Sequence, residues 1–267
     1  MPTNTPRLIA SDKSRLAMVL IPVFAATLLS LALPGIALNT GFADVVVLIT
    51  DTAAWPQLTI FSVAALIMLI SRHGISNRRR RVEAGAVVLV MLVVLAGNGM
   101  LNEYVVKPFF GIPRPNIVTL TAAGDLGTDI PDADAFYASG DKEARRDLMR
   151  EHLPTLETPQ LSDRVRAHWI HETGYSFPSG HATAAMALAS MLAAFGLAWL
   201  NGWRRLATTV VIPAWAVAVA YSRVLLEVHT ASDIIAGTLA GFWWGLVAFG
   251  AIRWTIRRFA PAATADS

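Results

Sequence analysis

Residues 82–101 read VEAGAVVLVMLVVLAGNGML, and the four residues before them are all arginine. The stretch is about as long as the roughly 20 residues that a helix needs to cross a bilayer, and Glu83 is its single charged residue. The composition agrees, because 54% of the 267 residues are hydrophobic and only 15% are charged. Soluble domains usually contain about 25% charged residues. We therefore predict a membrane protein.

Six apolar segments of this kind predict an all-α membrane protein with six transmembrane helices, forming one domain over residues 1–267. The fifth segment is short and contains Pro213, which membrane helices tolerate when neighbours satisfy the freed carbonyl. The first is longer than the apolar core of a cleaved signal peptide, so it is predicted to be retained. The predicted spans are 16–38, 53–70, 82–101, 182–200, 206–221 and 234–252.

Lysine and arginine lie in alternate connections, which predicts the orientation because cytoplasmic loops are rich in these residues. The connection over residues 39–52 has neither. The basic clusters are Arg7, Lys13 and Arg15; Arg72 and Arg78–Arg81; Arg204 and Arg205; and Arg253, Arg257 and Arg258. Both termini are therefore predicted to be cytoplasmic. A nucleic-acid-binding face is not expected, because the basic residues lie beside apolar runs.

Residues 102–177 form a large connection, predicted to be an extracytoplasmic, partly helical insertion between helices 3 and 4. Residues 141–153 have a charged helical pattern, and Leu161, Val165 and Trp169 recur at helical spacing. Two interpretations stay open: a cap that joins two helices, or a lid whose amphipathic helix lies on the membrane surface. The three histidines of this region are interpreted as ordinary loop histidines: His152, His168 and His171.

The first of three polar motifs reads KPFFGIPRP over residues 107–115. Its prolines interrupt a helix, and Pro115 favours an extended backbone at Arg114. The resulting turn is predicted to direct Lys107 and Arg114 toward one place, where both bind phosphate oxygens. Alone, the motif also fits two interfacial cations whose chains reach toward water.

The second motif, PSGH at residues 178–181, opens the fourth predicted span. It supplies the Ser179 hydroxyl and the Gly180 amide at a helix N-terminus, where anions bind readily. His181 follows and is close enough to reach the same anion. The alternative is an ordinary serine cap beside a chance histidine.

The third motif joins the last two predicted spans and contains Ser222, Arg223, His229 and Asp233. Residues four apart share one helix face, so Asp233 is placed to accept the Nδ1 proton of His229. That leaves Nε2 as a nucleophile. A purely structural pair is the alternative, although ionisable residues near membrane depth usually have a function. All three motifs fall on the predicted non-cytoplasmic side.

Together the motifs, Lys-x6-Arg-Pro, Pro-Ser-Gly-His and Ser-Arg-x5-His-x3-Asp, resemble those of the type-2 phosphatidic acid phosphatase and haloperoxidase superfamily. With the predicted spans, the chain looks like a bacterial membrane lipid phosphatase of the phosphatidylglycerophosphatase B kind. The soluble phosphatases and the haloperoxidases of the superfamily lack six membrane spans, so they fit less well.

The resemblance implies a role for each motif residue. His229 would attack phosphorus and form a phosphohistidine, Asp233 would orient it, and His181 would act as acid and then base. The phosphoryl oxygens would be held by Lys107, Arg114, Ser179, Gly180 and Arg223. No metal or other cofactor is implied.

The implied substrate is a lipid phosphate or diphosphate in the bilayer, such as phosphatidylglycerophosphate, phosphatidate or undecaprenyl diphosphate. Lipid A dephosphorylation and phosphoryl transfer to another lipid stay open, as does a transporter that binds a lipid phosphate without cleaving it. The implied location is the bacterial inner membrane, with the site facing the periplasm. Neither nucleic acid nor an obligatory protein partner is implied.

Overall fold

The computed structural model describes residues 10–54, 56–155 and 160–260. Within these ranges every regular element is helical. The helices are α1 (Ala10–Leu28), α2 (Gly41–Asp51), α3 (Gln57–Ile70), α4 (Asn77–Phe110), α5 (Pro115–Ala123), α6 (Ala133–Ala138), α7 (Lys142–His152), α8 (Asp163–His171), α9 (Gly180–Trp199), α10 (Gly202–Leu225) and α11 (Ala231–Phe259).

Five of these helices are long and apolar enough to cross a membrane: α1, which continues to Ala32, and α4, α9, α10 and α11. They correspond to five of the six predicted spans. The predicted second span, 53–70, contains the 14-residue helix α3, which is shorter than the roughly 20 residues that a perpendicular span needs. This second span, and with it the predicted total of six, therefore stays a prediction. Arg7, one of the topology signals, lies outside the described residues.

Helix α4 is longer than predicted, because it continues past residue 101 to Phe110. Ser76 caps its first turn, accepting a hydrogen bond from the Arg79 amide at 3.2 Å. Two π-helical segments, Leu92–Gly97 and Asn102–Val106, interrupt the α-helical hydrogen bonding. The second directly precedes Lys107 and Pro108, where the missing proline amide would break a regular helix. Lys107 thus lies in the last helical turn and not in the predicted turn.

Helices α9 and α11 form the central packed pair, because glycines of α11 let the two backbones approach closely. A Cβ atom at Gly237 would lie 2.6 Å from the Ser179 carbonyl oxygen, and one at Gly245 would lie 2.4 Å from that of Ala187. Small residues allow this kind of contact between membrane helices. The packing brings the two helix N-termini together, where the Ser179 amide donates to the Asp233 carbonyl at 3.1 Å.

The predicted helices of the insertion are present as α7 and α8. The apolar face of α8 points inward, since Val165 and Trp169 are fully buried. It packs in a cluster with apolar residues of α2 and of the turn before α11, including Val46 and Val228. The indole N–H of Trp169 donates to the Leu226 carbonyl at 2.8 Å. The insertion therefore packs on the bundle through this face, which is not free to lie on a membrane surface.

Candidate active site

The turn between α10 and α11 holds His229 at the start of α11. The amides of Val228 and His229 both donate to the Arg223 carbonyl, at 3.2 and 3.1 Å. Glu227 has a φ of +57°, a left-handed conformation that costs an L-residue about 1–2 kcal/mol. Backbone strain of this kind is concentrated at functional sites. The strained turn reverses the chain just before the histidine.

Asp233 has two structural roles: it caps the N-terminus of α11, and it contacts His229. Its Oδ2 atom accepts from the Thr230 amide at 2.8 Å, while its own amide donates to the Thr230 hydroxyl at 3.3 Å, a capping box. The same Oδ2 accepts from the Ser176 hydroxyl at 2.9 Å and lies 3.3 Å from Nδ1 of His229. The hydrogen bonds from Thr230 and Ser176 fix the carboxylate in the position from which it orients the imidazole of His229.

The contacts of His229 determine its tautomer. Nη1 of Arg114 lies 3.1 Å from Nε2 of His229, and because a guanidinium only donates, Nε2 has no proton. The proton is on Nδ1, facing Asp233. Burial, followed by the charges of Arg114, Arg223 and Lys107, holds the pKa of His229 well below its usual value. The imidazole is therefore neutral at pH 7, and the lone pair of Nε2 accepts from Arg114.

The backbone amide and the guanidinium nitrogens of Arg114 all donate hydrogen bonds, which fix the position of this residue. Its backbone is extended, as expected before Pro115, and its amide donates to the Tyr137 hydroxyl at 3.2 Å. The Nε atom donates to the Gly174 carbonyl at 2.8 Å, and Nη1 donates to the Val228 carbonyl at 3.0 Å. With 2% of its surface exposed, this guanidinium is held rigidly beside the histidine.

A carboxylate that the sequence reasoning missed joins the two arginines. Glu172 lies 2.7 Å from Nη2 of Arg114 through Oε2 and 2.6 Å from Nη2 of Arg223 through Oε1. Burial alone would raise the pKa of Glu172, but the charges of Arg114 and Arg223 outweigh it and hold this pKa well below its usual value. The only signal in the sequence is an acidic residue in the segment that leads into the second motif.

Arg223 is fully buried. Its Nη1 atom donates to the Thr50 hydroxyl at 2.8 Å and lies 3.0 Å from Nε2 of His168, which must therefore accept. Burial and the Arg223 charge lower the pKa of His168 to about 3. Thus His168, interpreted as an ordinary loop histidine, contacts one of the predicted phosphate-binding residues. Nε of Arg223 has no acceptor among the described residues.

The N-terminus of α9 lies against this cluster. The Ser179 hydroxyl accepts from the Ala182 amide at 3.4 Å, whereas the Gly180 and His181 amides have no acceptor among the described residues. Free amides at a helix N-terminus attract anions. His181 lies close enough for its charge to act on the pKa of Glu172. Its ring has no hydrogen-bond partner within the part of the chain that the structure describes.

Lys107 is buried, and its Nζ atom lies 3.1 Å from Oε2 of Glu103, one turn earlier in α4. It does not bond to the arginines, but its charge acts on His229. The structure thus brings His229, Asp233 and Arg114 into direct contact and adds Arg223 through Glu172. The predicted site residues from all three motifs surround one buried cluster that contains a neutral imidazole and fixed cations.

Comparison with known proteins identifies the family of the chain. Residues 84–257, which include all three motifs, match the PAP2 superfamily. The phosphatidylglycerophosphatases B of Escherichia coli (strain K12), Escherichia coli O157:H7 and Shigella flexneri are each 34% identical to the chain over 172 residues. The matched region covers 64% of this chain and 61% of each relative. This protein therefore belongs to the PAP2 superfamily, as the three motifs predicted.

Proposed function

We propose that this protein is an integral-membrane phosphatase that hydrolyses lipid phosphate monoesters or lipid diphosphates. One observation supports this most directly: the unprotonated Nε2 of His229 lies 3.1 Å from the guanidinium of Arg114. Attack on a phosphoryl group needs a nucleophile beside fixed cations that neutralise the phosphoryl oxygens. Membership of the superfamily and similarity to phosphatidylglycerophosphatase B agree with a lipid phosphatase.

In the first step, the arriving phosphoryl group accepts the hydrogen bond that Arg114 donated to Nε2 of His229. The released Nε2 lone pair attacks phosphorus, and the bond between phosphorus and the leaving oxygen breaks. Protonated His181 donates its proton to that oxygen, so the lipid leaves as an alcohol or, from a diphosphate, as a monophosphate. The enzyme then holds a phosphohistidine, whose imidazolium is stabilised by Asp233.

In the second step, water attacks the phosphorus of the phosphohistidine. His181, now neutral, takes a proton from that water, and the phosphorus–nitrogen bond breaks. The bonding electrons return to Nε2 of His229, and inorganic phosphate leaves. Both histidines regain their starting protonation states, so the cycle consumes only lipid phosphate and water.

The phosphoryl oxygens are held by Arg114, Arg223 and Lys107, together with the Ser179 hydroxyl and the Gly180 amide. These groups supply the charge neutralisation that Mg²⁺ supplies in kinases, and we expect the reaction to proceed without a metal. Glu172 accepts bonds from both arginines, so an arriving phosphoryl group has to replace its carboxylate there.

We further propose a bacterial inner-membrane protein with both termini in the cytoplasm and the site on the periplasmic side. The basic clusters support this orientation, including the run from Arg78 to Arg81 at the start of α4. Six spans are required, so α3 and its flanking residues would form the second. Phosphatidylglycerophosphate, phosphatidate and undecaprenyl diphosphate all suit such a site, because the tail of each stays in lipid.

The substitution His229→Ala tests the phosphatase proposal. We expect phosphate release from phosphatidate by the purified protein to fall at least about a thousandfold, since loss of a covalent nucleophile has effects of this size. His73→Ala is the matched control, because His73 is exposed on the connection between α3 and α4. The assay is run with and without chelator, and a chelator-sensitive wild type would contradict the metal-free mechanism.

A transporter of lipid phosphates would need the cations but no nucleophile. Phosphate release that survives His229→Ala, or lipid movement across vesicles without any release by the wild type, would contradict the phosphatase proposal. Analysis of labelled products with an added lipid alcohol then distinguishes hydrolysis from phosphoryl transfer, because only transfer labels the alcohol.

A further inference from the structure

A second pair of cations lies beside the arginines, and a glutamate bridges it as well. Glu103 is part of the π-helical segment Asn102–Val106. Its Oε2 atom lies 3.1 Å from Nζ of Lys107, and its Oε1 atom forms an ion pair with Lys142 at the start of α7. The Lys142 side chain is 41% exposed, whereas that of Lys107 is 8% exposed. The pair therefore extends from the buried site to the protein surface.

Gly174 lies between the two cation pairs. A Cβ atom at this position would be 3.0 Å from both Oε1 of Glu103 and Cε of Lys142, and 3.4 Å from Nζ of Lys142. Its carbonyl accepts from Nε of Arg114 at 2.8 Å. The lysine pair and the arginine pair are thus neighbours on either side of one residue without a side chain.

The backbone also holds Lys142 in this place. Its carbonyl accepts from the Thr173 hydroxyl at 3.3 Å, and Asp141 caps the helix, accepting from the amides of Glu143 and Ala144 at 3.0 Å each. The insertion therefore supplies one cation to a site whose other cations come from the membrane helices and from the segment after α4.

We propose that Lys107 and Lys142 form a second phosphate subsite and that Lys142 makes the protein prefer lipid diphosphates over lipid monophosphates. This rests on the proposed function and names its substrate class. Each cation pair holds a glutamate carboxylate, and a diphosphate would replace both. A monophosphate uses Lys107 for its single phosphoryl group, whereas in a diphosphate the terminal phosphate binds Arg114 and Arg223, and the inner phosphate binds Lys107 and Lys142.

The chemistry follows from this placement. His229 attacks the terminal phosphorus, and the bond from that phosphorus to the bridging oxygen breaks. The bridging oxygen leaves with the inner phosphate and takes the proton of His181, while Lys107 and Lys142 neutralise the negative charge that develops on the inner phosphate as the bond breaks. Charge stabilisation at the leaving group lowers the barrier. A lipid monophosphate has no inner phosphate that Lys107 and Lys142 could stabilise in this way.

The test compares two substrates with one tail, phosphatidate and diacylglycerol diphosphate, in the same micelles. We expect Lys142→Gln to lower kcat/KM for the diphosphate at least about tenfold more than for phosphatidate, since charge-assisted contacts have this magnitude. Lys142→Arg retains the charge and should retain the preference. Arg150→Gln is the control, because Arg150 is an exposed cation of the same helix whose ion pairs, among the described residues, are with Glu143 and Asp147.

An equal loss for both substrates after Lys142→Gln would overturn the proposal, because Lys142 would then only position Glu103 and Lys107. No loss of kcat/KM for either substrate would overturn it as well. If Lys142→Gln does not fold, the wild type decides: competitive inhibition by inorganic pyrophosphate at least about tenfold tighter than by orthophosphate is expected. Equal inhibition constants would contradict a second subsite.

Binding measurements separate this inference from the phosphatase proposal. Calorimetry on His229→Ala with pyrophosphate and orthophosphate detects the second subsite without any turnover. A preference for pyrophosphate that Lys142→Gln abolishes supports the subsite even if the wild type releases no phosphate. No preference, in a wild type that does hydrolyse phosphatidate, rejects the subsite and leaves the phosphatase proposal standing.

Discussion

At the scale of single residues, the two histidines have opposite requirements. His229 must be neutral to attack, and His181 must be protonated to release the leaving oxygen. We therefore predict a bell-shaped dependence of kcat/KM on pH. The pKa of His229 is held well below its usual value, so the acidic limb should lie below about pH 6.5. Phosphate release measured from pH 4 to 9 checks this, and a monotonic profile would contradict it.

The residues of the site differ in how far the sequence alone predicts their roles. His229 and Asp233 were predictable as a pair because their spacing and the helix start are local features. Glu172 and His168 were not, because each acquires its role only when the insertion folds against Arg223, more than 50 residues away. Lys142 was missed for the same reason. Local spacing predicts orientation within a motif, whereas contacts between distant segments depend on packing.

At the scale of elements, the glycines of α11 set the separation of the central helices. A Cβ at Gly245 would lie 2.4 Å from the Ala187 carbonyl oxygen, a backbone atom that cannot rotate away. We expect Gly245→Ala to destabilise the protein by about 1–3 kcal/mol, as overpacking does. A melting temperature in detergent measures this.

Gly250→Ala is the control for that prediction. It lies on the same helix, and a Cβ there would meet nothing within 4 Å. The added methyl group should be neutral or slightly stabilising, since alanine favours helix more than glycine does. Similar melting temperatures for the two variants would show that close approach of α9 and α11 is unnecessary.

The helices themselves were predictable to different degrees. Long apolar runs predicted α4, α9, α10 and α11, because a segment of this composition and length has few alternatives to a membrane helix. The sequence predicts a connection over residues 39–52, whereas the structure has α2 there, capped by Thr40, which accepts from the Ala43 amide at 3.3 Å. Its Ala43 and Val46 are buried in the core shared with the insertion. The Thr40 cap is a local signal of this helix, whereas its burial against the insertion depends on tertiary packing.

At the scale of the whole molecule, we expect stability to fall as the pH is lowered below about 6.5. The pKa of His168 is about 3 in the folded protein but about 6.5 in an unfolded chain. Between these values the unfolded state binds more protons, so acid favours unfolding. The pKa of His229 is likewise depressed, so His229 contributes in the same direction. Glu172 adds to the effect at lower pH, because its pKa is also depressed.

Melting temperatures between pH 7.5 and 4.5 measure this dependence. His168→Gln should reduce the slope, because the amide oxygen still accepts from Arg223 but does not titrate, whereas His229 still titrates. His73→Gln is the control, since His73 is exposed, and it should leave the slope unchanged. A wild type whose melting temperature rises on acidification would contradict the prediction.

The long helix α4 also links the site to the thickness of the lipid around it. Arg81 and Asn102 are 21 residues apart (102 − 81) on this one helix, which corresponds to about 31 Å of rise. A typical hydrocarbon core is about 30 Å thick. With Arg81 at one boundary, Asn102 and Glu103 would lie at the other, and Lys107 would lie about 8 Å beyond Asn102. Hydrophobic mismatch would tilt this helix or deform the bilayer. In the orientation proposed above, the depth at which a head group meets the lysines therefore depends on acyl chain length as well as on the protein.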